Sequence, residues 1–253
     1  MPHLIASPVV WGTLPRLPDR HGLAGAFAGV SADTLLVAGG ANFPDAPLAE
    51  GGKKVWHDTV YVVGGTSGPA DTTASRGFYS LDLEHLSAGW KSLPPLPGQG
   101  RILPVAAARD GAFFVVSGAS LVADASGKPA RIYLKDGWRF QPGRGWSAMA
   151  DAPHAAVAAP TSAPLEGERQ FLIGGGDDGT LAPVRPGTPH PGFLHSVMAY
   201  DVLTNEWSDF MEIPDEVSPP VTTSTTLWGA QTIIPSGEVK PGIRSPQVVF
   251  LKP

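Results

Sequence analysis

Cysteine is absent from the 253 residues, so disulfides and thiolate metal sites are excluded and the redox compartment is left open. Charged residues are scarce, at 16% of the chain, and the formal net charge is −5 without a Lys/Arg cluster. An acidic chain without a basic patch lacks the footprint that nucleic acids or anionic membrane surfaces require, so neither is expected as a partner. No apolar run reaches 18 residues, which leaves no candidate membrane helix. The stretch from Met1 to Trp11 has neither a basic nor an apolar signal-peptide region, so the chain as it stands reads as cytoplasmic. A trimmed signal peptide would leave the same appearance in a periplasmic or secreted protein. Seven histidines are scattered without an HExxH or His-x-His pattern, so no metal site is expected. Gly174-Gly-Gly is not a dinucleotide fingerprint, because no helical pattern follows it, and no Gly-x-Ser-x-Gly elbow exists.

What the chain does have is glycine (31) and proline (27) set between short apolar runs, with hydrophobic residues at 42%. Such punctuation marks turns between strands, and the composition suits a compact fold. Four marks recur in a fixed order. A Pro-rich entry such as Leu93-Pro-Pro-Leu-Pro97 is followed by a run of small residues such as Pro104-Val-Ala-Ala-Ala108. Next is a strand ending in small residues: Thr34–Gly40, Ala112–Gly118, Gln170–Gly175 and Thr232–Gly237. Last comes an aromatic strand, a polar turn and a Trp: Phe78–Asp82 to Trp90, Trp138–Phe140 to Trp146, and Met198–Asp201 to Trp207. Glycines 118, 175 and 237 and tryptophans 90, 146 and 207 both recur roughly every sixty residues.

The repeat predicts about four short strands per unit and an all-β, kelch-type β-propeller spanning residues 1–253 as one domain. The tryptophans are expected to fill the wedges between adjacent sheets. The last unit has no Trp of its own, but Trp11-Gly-Thr-Leu-Pro15 supplies one, so the N-terminal strand is expected to complete the final blade and close the ring. One place breaks the rhythm. Gly-Gly recurs at 39–40 and 64–65, about 25 residues apart, without an intervening Trp-ended strand. The reading is therefore four Trp-terminated blades plus a surplus strand near Thr59–Val63, whose unpaired edge invites pairing with a second chain as a homodimer.

Chemistry concentrates in Ser236-Gly-Glu-Val-Lys-Pro-Gly-Ile-Arg-Ser-Pro246. Glu238 follows the glycine of an inner strand, where other repeats carry Ala41, Ala119 or Asp177, and Lys240 and Arg244 lie close by. A carboxylate beside two cations can act as a general acid/base while the cations hold an anionic substrate. The other account of the same residues is a structural ion pair across a tight loop. Asn42, in Gly39-Gly-Ala-Asn-Phe-Pro44, is read as the counterpart of Glu238 in its own unit, with Lys53 and Lys54 nearby. Asp177 and Asp178 can serve a cation, a sugar hydroxyl or simply a turn.

These segments together resemble the kelch-repeat sialic acid mutarotases, or N-acetylneuraminate epimerases, in their cyclically permuted branch. The resemblance is carried by Gly22–Ser31 with Leu36–Phe43, by Gly-Glu-x-Lys-Pro-Gly-x-Arg from Gly237 to Arg244, and more weakly by Leu96–Arg101. It implies a six-bladed propeller that interconverts anomers of N-acetylneuraminate without a cofactor. It also implies that Glu238 is the proton acceptor and that Arg244 lies in the substrate pocket. Arg101, Asn42 and Lys54 are carried over by blade position. The sequence departs from the family in length: material of one to two blades is missing between about Trp56 and Thr66. That departure keeps a non-catalytic binding module and an inactive shortened paralogue as alternatives.

Overall fold

In the computed structural model, the residues described are 10–14, 24–31, 34–42, 55–56, 65–66, 68, 70–81, 90–184, 186–187 and 189–252. Their regular structure is entirely β, in strands β1 to β19. No helix among them is long and apolar enough to cross a membrane.

The unit between residues 105 and 148 shows how the repeat folds. β7 (Val105–Arg109), β8 (Ala112–Val116), β11 (Gly137–Gln141) and β12 (Gly145–Ala148) form an antiparallel sheet in the order β12-β11-β8-β7. Asp110-Gly111 closes β7 onto β8, with φ of 52° and 69°. Positive φ at both turn residues matches the twist of the strands they join. Between β8 and β11 the chain makes an excursion, a hairpin of β9 (Ala119–Ala123) and β10 (Pro129–Tyr133). Asp124 builds its turn by accepting from the Ser126 and Lys128 amides. The next unit repeats the plan with β13 (Leu165–Glu166), β14 (Gln170–Gly174), β15 (Ser196–Asp201) and β16 (Glu206–Glu212). The last sheet contains β17 (Thr226–Trp228), β18 (Gln231–Lys240) and β19 (Ile243–Lys252), and β1 (Val10–Leu14) adds to its free edge. Trp11 pairs with Leu251, so the expected completion of the last sheet by the N-terminal strand is observed.

Side-chain alternation along each strand explains how the sheets stack. Ala112, Phe114 and Val116 face one way and are buried with Phe171, Ile173, Met198 and Tyr200 of the following sheet. The opposite face of that following sheet presents Leu172, Val197 and Ala199 to Ile234, Val249 and Leu251 of the last. Burying one such side chain contributes about 1.5–3 kcal/mol, so the two interfaces are the main cohesive element. β17 and β18 in turn pack against β2 (Ala24–Ser31). The outer-strand tryptophans tie each sheet to the exit of the preceding unit. Trp207 donates its indole N–H to the Ala150 carbonyl at 2.9 Å, and Trp146 donates to the Pro94 carbonyl at 2.9 Å.

Among the described residues, the first Trp-ended unit does not form one four-stranded sheet. β2, β3 (Thr34–Asn42) and β4 (Val55–Trp56) make a three-stranded sheet, while β5 (Tyr79–Leu81) and β6 (Trp90–Ser92) make a separate pair. The second Gly pair, 64–65, falls in sequence between these two partial sheets. The segment Thr59–Val63, read as a surplus strand, lies outside the described residues.

Candidate active site

The site begins with a backbone device that recurs in three units. In β18 the pairing register shifts between Pro235 and Gly237, and Ser236 and Gly237 adopt φ of 59° and 133°. Ser117 and Gly118 do the same, at 59° and 88°, as do Gly175 and Gly176, at 69° and 96°. Glycine is required at 237, because a Cβ there would sit 2.8 Å from the Pro220 Cβ and 2.9 Å from the Val221 carbonyl oxygen. The buried serines lock the irregularity by donating to carbonyls across the strand, Ser236 Oγ to Ser245 at 2.7 Å and Ser117 Oγ to Leu134 at 2.9 Å. A bulge of this kind re-aims the side chain that follows it.

The residue after each of these glycines pairs with the entry loop of its own unit: Ala119 with Ile102, Asp177 with Val157, and Glu238 with Val221. The expected equivalence of Ala119, Asp177 and Glu238 therefore holds in three dimensions. In the first sheet the matching pair is Ala24 with Ala41, and Asn42 pairs with Val55. Ala41 thus occupies the position of Glu238, which corrects the reading of Asn42 as its counterpart. Register decides this, since a shift of one residue moves a side chain to the other face.

Glu238 is held at both carboxylate oxygens. Oε2 lies 3.1 Å from Arg244 Nη2, and Oε1 accepts the Gly242 amide at 2.9 Å. Lys240 pairs with Ile243 around Pro241-Gly242, the residue pattern of a type II turn, with Gly242 at φ 81°. The turn thus folds Arg244 back opposite Glu238. The two side chains are 18% and 9% exposed, so the pair is largely withdrawn from water yet reachable. Burial pulls the Arg244 guanidinium below its ordinary pKa, and the Glu238 charge opposes that pull. Lys240 is half-buried on the same hairpin.

A loop of the preceding sheet reaches over this hairpin. Gly187 donates its amide to the Pro241 carbonyl at 2.9 Å, and Leu194 donates to the Gly176 carbonyl at 3.2 Å. Residues 187–194 therefore run from the tip of the Glu238 hairpin to the turn that carries Asp177. At that turn Tyr133, from the excursion hairpin, donates its phenol to Asp177 Oδ2 at 3.0 Å, and Gly179 donates its amide to Oδ1 at 2.9 Å. Burial, then the Asp177 charge, raises the Tyr133 phenol above its ordinary pKa. Asp178 bonds within its turn to Thr180, through the amide at 2.9 Å and the hydroxyl at 2.7 Å, the turn role weighed for it from the sequence. Sequence reasoning had no signal for Tyr133, because its hairpin interrupts the repeat instead of following it.

Arg101 is not brought to Glu238. Its guanidinium is buried within its own unit, 2.7 Å from Asp136 Oδ2 and donating to the Ser117 carbonyl at 2.9 Å. Trp138 Nε1 donates to the same carboxylate oxygen at 2.8 Å. That network joins an entry loop to β11 and gives Arg101 a structural role within its own unit. Lys54 lies outside the described residues. Among the described residues, no group of three or more His, Asp or Glu side chains is placed to hold a metal ion. A large cavity, about 870 Å³, whose lining does not include Glu238, lies between residues 75–78 and the face of the β7–β12 sheet that carries Phe113 and Val115, with Arg101 in its wall. Phe78, Phe113, Phe140 and Trp146 line it. It borders the unit that has two described strands where its neighbours have four.

No protein-family model matches the chain. Curated relatives do. An N-acetylneuraminate epimerase from Haemophilus influenzae is 28% identical over 234 residues, covering 82% of this chain. One from Yersinia enterocolitica is 24% identical over 241 residues, covering 85%.

The chain is similar to the N-acetylneuraminate epimerases. The resemblance read from the residues is thereby borne out. An N-acetylneuraminate epimerase from Yersinia pestis is 47% identical over a shorter stretch of 53 residues. The chain spans 58% of the length of the Haemophilus and Yersinia enterocolitica epimerases. Among solved structures, YjhT, a kelch β-propeller, superposes over 91% of this chain and 62% of its own, with TM-score 0.51 and 17% identity. At that identity the likeness concerns the fold alone.

Proposed function

We propose that this chain is a sugar mutarotase, an isomerase that interconverts the anomers of N-acetylneuraminate or a related acidic sugar. The observation that carries the reading is the shielded Glu238–Arg244 pair, 3.1 Å apart, on an irregular strand end that only Gly237 permits. Similarity to N-acetylneuraminate epimerases along most of the chain supports the substrate class. The stacked four-stranded sheets, with β1 added to the last, support a kelch propeller with three complete blades and two partial ones.

In this reading Glu238, ionised beside Arg244, accepts the proton of the anomeric hydroxyl. The bond from the anomeric carbon to the ring oxygen breaks, and that oxygen takes up a proton. The open keto form turns about its carbon–carbon bond and recloses on the opposite face, returning both protons. No atom is gained or lost and no electron pair leaves the sugar. A guanidinium has five donors in a planar fork, so Arg244 can orient Glu238 and also meet the sugar carboxylate. Lys240 adds positive charge at the same hairpin.

The test is NMR of freshly dissolved α-N-acetylneuraminate. Appearance of the β anomer is accelerated by the protein, and Glu238→Gln lowers the acceleration about 10²–10⁴-fold, the usual worth of a positioned base. A rate equal to buffer alone refutes the enzyme reading. The length difference from the relatives specifically favours one other reading, a shortened paralogue that folds and binds without turnover. Under that reading the wild type and Glu238→Gln would bind the sugar equally and neither would speed its mutarotation.

A further inference from the structure

We infer that Tyr133 and Asp177 form a hydroxyl-recognising wall of the Glu238–Arg244 site, holding the hydroxyl-bearing flank of an acidic sugar while Arg244 takes its carboxylate. The inference rests on the reading of the site as one for an acidic sugar, and adds how that sugar is oriented. Three observations carry it.

The first is position. Asp177 occupies on its sheet the place that Glu238 occupies on the next, each paired to the entry loop of its own unit. The bulge device therefore presents both carboxylates at the same end of neighbouring sheets. Val157 and Val221, the partners of these two residues, are buried in one apolar cluster, and Tyr133 and Phe193 pack against that cluster. The second is continuity. Residues 187–194 are bonded at one end to the Glu238 hairpin through Pro241 and at the other to Gly176, so a single loop borders both pairs. The third is the polarity of the groups. The phenol proton of Tyr133 is committed to Asp177 Oδ2 at 3.0 Å, and Asp177 Oδ1 takes the Gly179 amide at 2.9 Å. Arg131 also lies beside the phenol, and its charge and side-chain hydrogen bond oppose the rise of the Tyr133 pKa, so what the pair offers a ligand is chiefly the remaining lone pairs of the Asp177 carboxylate. Such a surface accepts from hydroxyl or amide N–H groups. Arg244 offers the reverse. The raised pKa of Tyr133 keeps its proton in place across the neutral range.

Both groups are half-buried, open enough to be reached and closed enough for a hydrogen bond to count. Close packing fixes the phenol ring: a Cβ on Gly179 would lie 2.7 Å from it, so no side chain fits between the turn and the ring. The two ends of the site thus differ in kind: Asp177 accepts hydrogen bonds, whereas Arg244 donates them.

The experiment measures dissociation constants of the full chain for two probes by ligand-observed NMR. N-acetylneuraminate carries both a carboxylate and hydroxyls, whereas pyruvate carries the keto acid alone. Tyr133→Phe keeps the ring and removes the oxygen, and Asp177→Asn removes the charge. Either variant is expected to weaken N-acetylneuraminate about three- to tenfold, the worth of one or two hydrogen bonds, and to leave pyruvate unchanged. Unchanged N-acetylneuraminate binding in both variants overturns the inference, as does equal weakening of both probes, which would make the pair merely structural. If the wild type binds neither probe, the acidic-sugar reading fails and this inference falls with it, so the wild-type titration separates the two failures.

Discussion

Replacing Gly237 with alanine tests the structural reasoning where it is most exposed. The backbone there holds φ 133°, a region that costs a side-chain-bearing residue about 1–3 kcal/mol. The added Cβ would stand 2.8 Å from the Pro220 Cβ, 2.9 Å from the Val221 carbonyl oxygen and 3.3 Å from the Thr223 Cγ2. The first two belong to an entry loop bonded to the same strand, so they cannot swing aside, and overpacking of this kind adds about 1–3 kcal/mol. Together these predict a loss of about 2–6 kcal/mol and, at about 2–4 °C per kcal/mol for a chain of this size, a fall in melting temperature of about 4–24 °C. Gly127→Ala is the matched control. It also has positive φ, 77°, but nothing lies within 4 Å of its added Cβ. The control should lose only about 1–3 kcal/mol of backbone cost. Thermal unfolding followed by circular dichroism of the two variants side by side decides the matter. Equal melting temperatures would refute the close approach of the entry loop to Gly237, and with it the account of how Glu238 is aimed.

Other consequences follow from the same geometry. Asp177→Asn removes a charge and an acceptor that both raise the Tyr133 phenol, so Tyr133 should ionise at lower pH in the variant, read by ultraviolet absorbance of the phenolate. In the wild type the folded phenol titrates above its unfolded value near 10.0, so its contribution to stability is full below that pH and is lost as pH rises through the folded value. A Tyr133 that titrates identically in both proteins would refute the pairing. Arg101→Leu strips partners from the Ser117 carbonyl and from Asp136 and should cost about 1–3 kcal/mol in urea unfolding. The same variant should bind N-acetylneuraminate as the wild type does, and a large affinity loss without a stability loss would return Arg101 to the substrate pocket.

The repeat, the all-β class and the addition of the N-terminal strand to the last sheet were legible in the residues, because each rests on local signals with a fixed period. Glycine and proline punctuate every turn, and an outer tryptophan needs a large apolar wedge wherever it stands in the chain. The Glu238–Arg244 pair was legible in part: Glu238 lies three residues before the Pro241-Gly242 turn and Arg244 two after it, but a register shift between Glu238 and Lys240 is what sets the two opposite each other. Tertiary structure decided the rest. Among the described residues, the strands before Trp90 fall into two sheets, since pairing between distant strands settles which edge each strand joins and turn residues do not encode that. Ala41, not Asn42, matches Glu238 because register is a property of two strands together. Arg101 serves Asp136 because the fold buries its guanidinium beside that carboxylate, 35 residues away in the chain. Tyr133 meets Asp177 across 44 residues for the same reason. A side chain's identity limits what it can bind, but which partner it finds depends on which strands pack together, and that is set by burial summed over the whole domain.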